Sequence, residues 1–175
     1  MARMITVMGI DPGQNGGIAI INADGMAIGF PMPATPKQLA QLFVKRIIPA
    51  KVDHCIIENL HSRPQNGHIA TFSLGRSCGV LLGMLELSGI EYEPMEPRSW
   101  QKALGIQARY KPPKTTGALI NYRPEESYQE FKVRLLGVAI KLFPRMDLDL
   151  SICDALLMAE VCRRMQSGYH GRAAV

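Results

Sequence analysis

Residues 4–10 (MITVMGI) form an unbroken apolar run, the pattern of a strand covered on both faces rather than one half in water. Asp11 follows at its end. Two shorter apolar runs, 17–22 and 26–30, flank Ala23-Asp24-Gly25, a hairpin signal, so the chain opens with an antiparallel meander. Thr35-Pro36 supplies an N-cap and a first-turn proline, and Leu39, Leu42, Phe43 and Ile47 carry a helical period to Pro49. HCIIE, residues 54–58, predicts a fourth strand, again closed by an acid. A polar stretch with Pro64 and Gly67 predicts a loop over 59–71, followed by a helix over 72–88 that is apolar on most sides. A fifth strand over 90–95 leads through Pro97 into a short helix. Residues 106–124, with Pro112, Pro113 and Pro124, predict an irregular connection, and helices over about 125–143 and 150–165 complete the pattern.

Together these elements predict an α/β fold: a mixed five-stranded sheet with helices on both faces, strands 1–3 antiparallel and strands 4 and 5 added through helices, parallel to strand 1. The 175 residues suit one domain, over 1–165, with a loosely ordered tail over 166–175. In the long helix Gly75, Gly79 and Gly83 recur every four residues, a smooth stripe for another backbone. Glycine costs about 1 kcal/mol against alanine there, so the stripe implies packing, either on the chain's own sheet or at a subunit interface.

Composition narrows the class. Cys55, Cys78, Cys153 and Cys162 lie scattered in apolar stretches with no C-x-x-C pair, which excludes zinc spacing and predicts reduced core thiols in a cytoplasmic protein. The first residues lack the pattern of a signal peptide, and the apolar stretch around Cys78–Leu87 is too short to span a bilayer, so no membrane partner is expected. Net charge is +5, and half of the 20 Lys and Arg residues fall between Arg98 and Arg145 against three acids there. A basic excess of that kind is the footprint of a nucleic-acid binder, although any one of these residues also serves as a solvated helical face.

Three carboxylates stand out by position. Asp11 and Glu58 each close an apolar strand, and Asp154 lies one turn into the last helix. Taken singly, each has a plain structural use: turn former before Pro-Gly, edge-strand charge, helix N-terminal acid. If strands 1 and 4 are neighbours, Asp11 and Glu58 meet, a helix packed across that edge can add Asp154, and the repulsion among them calls for a divalent cation; oxygen-only ligands favour Mg²⁺ or Mn²⁺. Such a cluster suits phosphodiester hydrolysis with two ions per site, Asp11 bridging. In the loop after Asp11, Gly13 permits a sharp turn, and Gly16-Gly17 would keep side chains away from an approaching DNA backbone.

The segments "GIDPGQNGGIAI", "CIIENLHSRPQNGHIATFSLGRSCGVLLGML", "EPRSWQKALGI", "KLFP" and "CDALLMAE" resemble, in that order, the RuvC family of Holliday junction resolvases, particularly its phage and prophage branch. The resemblance runs from Ile5 to Arg164. It implies a ribonuclease H-like fold, a homodimer, Mg²⁺-dependent nicking of four-way DNA junctions, and a catalytic and metal-binding cluster that includes Asp11, Glu58 and Asp154. It further implies that the loop after Glu58 enters the junction and that the 72–88 helix contributes to the dimer interface. One departure stands out: the better-known bacterial members carry another metal-binding side chain three residues before the final Asp, where this chain has Ser151. Asp149 lies about 140° away from Asp154 if the helix already includes it, and Asp147 returns to the right face only in a longer helix. Ser151 holding a water is the third option.

Lys102, Arg109, Lys111 and Lys114 are candidates for phosphate contacts, and Arg63, His68 and Phe72 for contacts inside the junction. His61 and His68 also read as ordinary surface residues. Trp100, between strand and helix, reads as a core anchor. Two other readings remain: a junction-binding protein without catalysis, given Ser151, and a nucleotide-binding ATPase, since "GIDPGQNGG" is similar to the phosphate loop of actin-like and sugar-kinase folds. The latter needs a second lobe for which 175 residues leave no room, so no nucleotide cofactor is expected.

Overall fold

A computed structural model describes residues 5–59, 67–111 and 125–168. Its centre is β1 (Val7–Asp11), which pairs antiparallel with β2 (Gly17–Ile21) and parallel with β4 (His54–Glu58). β3 (Ala27–Pro31) extends the sheet beyond β2, and β5 (Glu91–Met95) lies parallel to β4, giving the order β3-β2-β1-β4-β5. This is the mixed sheet that the sequence pattern predicts, with strands 1–3 antiparallel and 4 and 5 parallel to strand 1, and it is the order expected of the fold that the resemblance implies.

Alternation along β1 and β4 assigns each residue to a face. Met8, Ile10, Cys55 and Ile57 pack under α1 (Pro36–Leu42), its irregular continuation through Ala50, and Leu81 and Leu85 of α2 (His68–Ser88). Val7 and Ile56 face the other way, onto α5 (Leu150–Gln166), which also buries Phe131, Leu135 and Ala139 of α4 (Tyr128–Leu142) and Trp100 of α3 (Pro97–Ala103). The same alternation places Asp11 and Glu58 on the α5 face.

α5 lies unusually close to the sheet because the strands beneath it are small. Gly9, Ala19 and Gly29 form one register row across β1, β2 and β3. A Cβ on Gly9 would stand 2.0 Å from Ala155 O and 2.5 Å from Ala159 N, and one on Gly29 would stand 2.8 Å from Ile152 Cδ1. This trough seats α5 and brings Asp154 down to the ends of β1 and β4.

Several elements differ in detail from the pattern. α2 starts at His68, so His68 and Phe72 lie on a helix rather than in the loop and at a helix start. Gly67 caps it without any side-chain hydrogen bond, which explains why no capping residue announces this start. Gly16 and Gly17 do not face open space: a Cβ on Gly16 would stand 2.5 Å from Asp11 Cγ, and one on Gly17 2.8 Å from Ser151 O. Their smallness lets the loop and α5 close around Asp11, not a DNA backbone. Residues 60–66, 112–124 and 169–175, and with them Arg63, Lys114, His61 and most of the expected tail, lie outside the described residues. Among the described residues, no helix is long and apolar enough to cross a membrane.

Candidate active site

Asp11 is the last residue of β1 and Glu58 the last of β4; one step beyond the Ile10–Ile57 pair, the parallel register sets them side by side. Asp11 keeps its role in the turn, since its Oδ1 accepts from the Gly13 N–H at 3.1 Å. Glu58 is fixed from the far side, where Trp100 Nε1 donates to its Oε1 at 3.3 Å. Trp100 is fully buried, so the core anchor expected from its position also orients the site.

Asp154 reaches the same place from α5 with its side chain only 8% exposed. Its Oδ2 forms a close ion pair with Lys132 Nζ, delivered by α4. Its Oδ1 is buried with no hydrogen-bond partner. Burial is the largest influence on Glu58, the Asp11 charge adds to it, and together they push the carboxyl up to about 7. Burial also raises Asp154, opposed by Lys132 and reinforced by Asp11. On Lys132 burial works against the charge, but the Asp154 pair outweighs it and holds the ammonium above the ordinary lysine range. The three acids therefore sense one another, as their sequence positions imply. As placed, no three His, Cys, Asp or Glu side chains among the described residues form a closed ligand set for one ion.

The three candidates for a fourth ligand lie at or before the start of α5. Asp149 is the N-cap of α5: its Oδ1 accepts from Ser151 N at 2.8 Å, Ser151 Oγ at 2.6 Å and Ile152 N at 3.3 Å. Both Asp149 and Ser151 are used in that cap. Asp147 precedes the helix and is exposed. Lys132 and the Glu58 contact of Trp100 are the members of the cluster that pattern reading missed. The only sequence signal for Lys132 was its place among the basic residues of a helix that the fold turns toward α5.

Of the basic residues proposed for phosphate, Lys102 and Lys111 are exposed, whereas Arg109 pairs with Glu125 at 3.5 Å. Arg134 is likewise engaged, by Glu126 at 2.8 Å and the Gln107 carbonyl at 3.0 Å. Phe72, 73% exposed, lines a groove of about 810 Å³ with Arg76, Gln14 and Asn15, which borders the loop after Asp11. His68 is exposed at the start of α2. On that helix, Cβ atoms added at Gly75, Gly79 and Gly83 would each meet nothing within 4 Å, so packing on the chain's own sheet does not account for the stripe.

No protein-family model and no curated protein matches the sequence. Among solved structures, Thermus thermophilus RuvC in complex with Holliday junction substrate superposes with a TM-score of 0.55 at 17% identity, covering 94% of this chain and 98% of that one. The chain has the RuvC fold. A second RuvC structure from the same organism gives a TM-score of 0.52 at 16% identity over 93% of this chain and 98% of the other. The RuvC superposition thus spans almost the whole length of both proteins.

Proposed function

We propose that this protein is a homodimeric, divalent-metal-dependent endonuclease that resolves four-way DNA junctions by paired symmetric nicks. The observation that carries the proposal is the meeting of Asp11, Glu58 and Asp154 at one edge of a RuvC-like sheet, with a buried oxygen of Asp154 left unpartnered. That donor set fits Mg²⁺, with Mn²⁺ substituting: hard oxygens, mutual repulsion between carboxylates, and an orphaned acceptor in low dielectric. Asp11, Glu58 and Asp154 would hold the ion. A cation bound there supplies positive charge to the scissile phosphate and its attacking water.

The chain's own residues do the remaining work. Trp100 holds the Glu58 carboxylate in place, and the Gly9 trough holds Asp154 beside it. Lys102 and Lys111 offer free charge to the DNA backbone, which makes affinity salt-dependent and largely independent of sequence. Phe72 and the adjoining groove receive bases or sugar near the exchange point. The open glycine stripe and the exposed Ile69 and Leu87 of α2 supply a face for a second copy.

A second reading, a junction-binding protein with little or no cleavage, is favoured by Ser151, a hydroxyl in place of a fourth acid and bonded to Asp149 in the α5 cap. A synthetic four-way junction with each arm end-labelled in turn separates them. Paired symmetric nicks with Mg²⁺ support the endonuclease; tight binding without cleavage under Mg²⁺ and Mn²⁺ supports the structural role.

A further inference from the structure

Lys132 is placed where a positive charge is worth most. Its Nζ meets Asp154 Oδ2 with the two side chains only 16% and 8% exposed, so this is no loose surface pair. α4 is held rigidly enough to aim it. A reciprocal Ser127–Glu130 capping box starts the helix, and Phe131 and Leu135 on either side of Lys132 are buried in the core beneath α5. The Tyr128 ring centroid stands 5.7 Å from Nζ on the outer side.

Charge counting gives this pair a meaning. With all three carboxylates ionised, as a bound cation would favour, Asp11, Glu58 and Asp154 against Lys132 leave two net negative charges, the amount one divalent ion neutralises. A second ion would need a further ligand where this chain has Ser151, and the Ser151 hydroxyl is bonded to Asp149 Oδ1 in the α5 cap, while Asp147 stands exposed ahead of the helix. It would also need Asp154 Oδ2, which Lys132 holds. What remains is Asp154 Oδ1, buried and unpartnered, together with Asp11 and Glu58.

We propose that Lys132 is a built-in counter-ion standing in for a second cation, so that each site takes one divalent ion, not the two expected from the carboxylates alone. This rests on the metal-dependent reading above and specifies it further. The same contact explains why the three acids sense one another without closing into a ligand set: Asp154 is drawn toward α4 by one of its two oxygens.

Counting Mn²⁺ bound to the full-length chain, by calorimetric titration alongside electron paramagnetic resonance of free Mn²⁺, tests the proposal without recourse to cleavage. Wild type should take one Mn²⁺ per chain, and Lys132→Arg should keep that count. Lys132→Met should bind its first ion about tenfold more tightly and admit a second, because a neutral residue no longer competes for Asp154. Two ions on the wild type, or an unchanged count and affinity in Lys132→Met, would overturn it. If Lys132→Met does not fold, the wild-type and Lys132→Arg counts still decide. Absence of any Mn²⁺ binding that Asp11→Asn removes would overturn the metal-dependent reading as well, a failure distinct from finding two ions.

Discussion

Trp100 donates its indole N–H to Glu58 Oε1, so the chain's single tryptophan joins the core beneath α5 to the carboxylate that closes β4. The hydrogen bond favours the ionised carboxylate against burial and the neighbouring Asp11 charge. Trp100→Phe removes the donor together with part of the buried ring. Stability should fall by about 2 kcal/mol, from the lost hydrogen bond and the cavity together, and the rising limb of the pH–cleavage profile should move to higher pH. Urea unfolding and single-turnover cleavage across pH measure both; an unmoved pH limb would mean the indole does not tune Glu58.

Stability without metal should depend on pH in a direction set by Glu58. Its pKa is raised from the ordinary 4.5 to about 7, so the folded chain binds this proton more tightly than the unfolded one. The resulting stabilisation is complete below the unfolded value and is lost as pH rises through about 7, amounting to on the order of 3 kcal/mol. In chelator, thermal melts should therefore be lower at about pH 8 than at about pH 6, and Glu58→Gln should flatten the difference. A wild-type melt that rises over this range would contradict the assignment.

Gly9→Ala should be among the most damaging single changes outside the site. The new methyl would lie 2.0 Å from Ala155 O and 2.5 Å from Ala159 N, and both are helix backbone, so α5 must lift. We expect a loss of about 3 kcal/mol or insoluble expression, with metal affinity falling further because Asp154 moves with the helix. Denaturant unfolding with Mn²⁺ titration checks this; a near-neutral result would show that α5 has slack.

Gly79→Arg probes the proposed subunit face instead. Within one chain the position is open, so the fold should be unaffected, with unfolding shifted by less than about 0.5 kcal/mol. Sedimentation should change from dimer to monomer, and paired nicking should give way to single nicks or none. A variant that stays dimeric places the interface elsewhere.

The local pattern carried most of the architecture because its main signals are short-range. Two-faced burial made β1 an unbroken apolar run, a hairpin signal set the meander, and the acids closing strands 1 and 4 met once those strands paired. Contacts fixed by tertiary packing left no comparable trace. Lys132 reaches Asp154 only because α4 crosses α5, and 22 residues of separation carry no periodic signal. A glycine's reason depends on what lies against it, which for Gly16 and Gly17 is Asp11 and Ser151 and not a ligand, and no local pattern carries that. Near the missing fourth position, spacing alone does not reveal that Asp149 Oδ1 accepts from three donors of its own helix start.

Asp11→Asn, assayed on a labelled four-way junction in Mg²⁺, tests most directly whether the carboxylates at the ends of β1 and β4 act with Asp154 as a metal-dependent junction nuclease. Wild type should make paired symmetric nicks, and the variant should bind the junction at least as tightly, having lost a charge that repels phosphate, while cleaving it by a factor of about 10³ less. Undiminished cleavage by Asp11→Asn, or no cleavage by a wild type that binds the junction well in Mg²⁺ and Mn²⁺, would contradict that role.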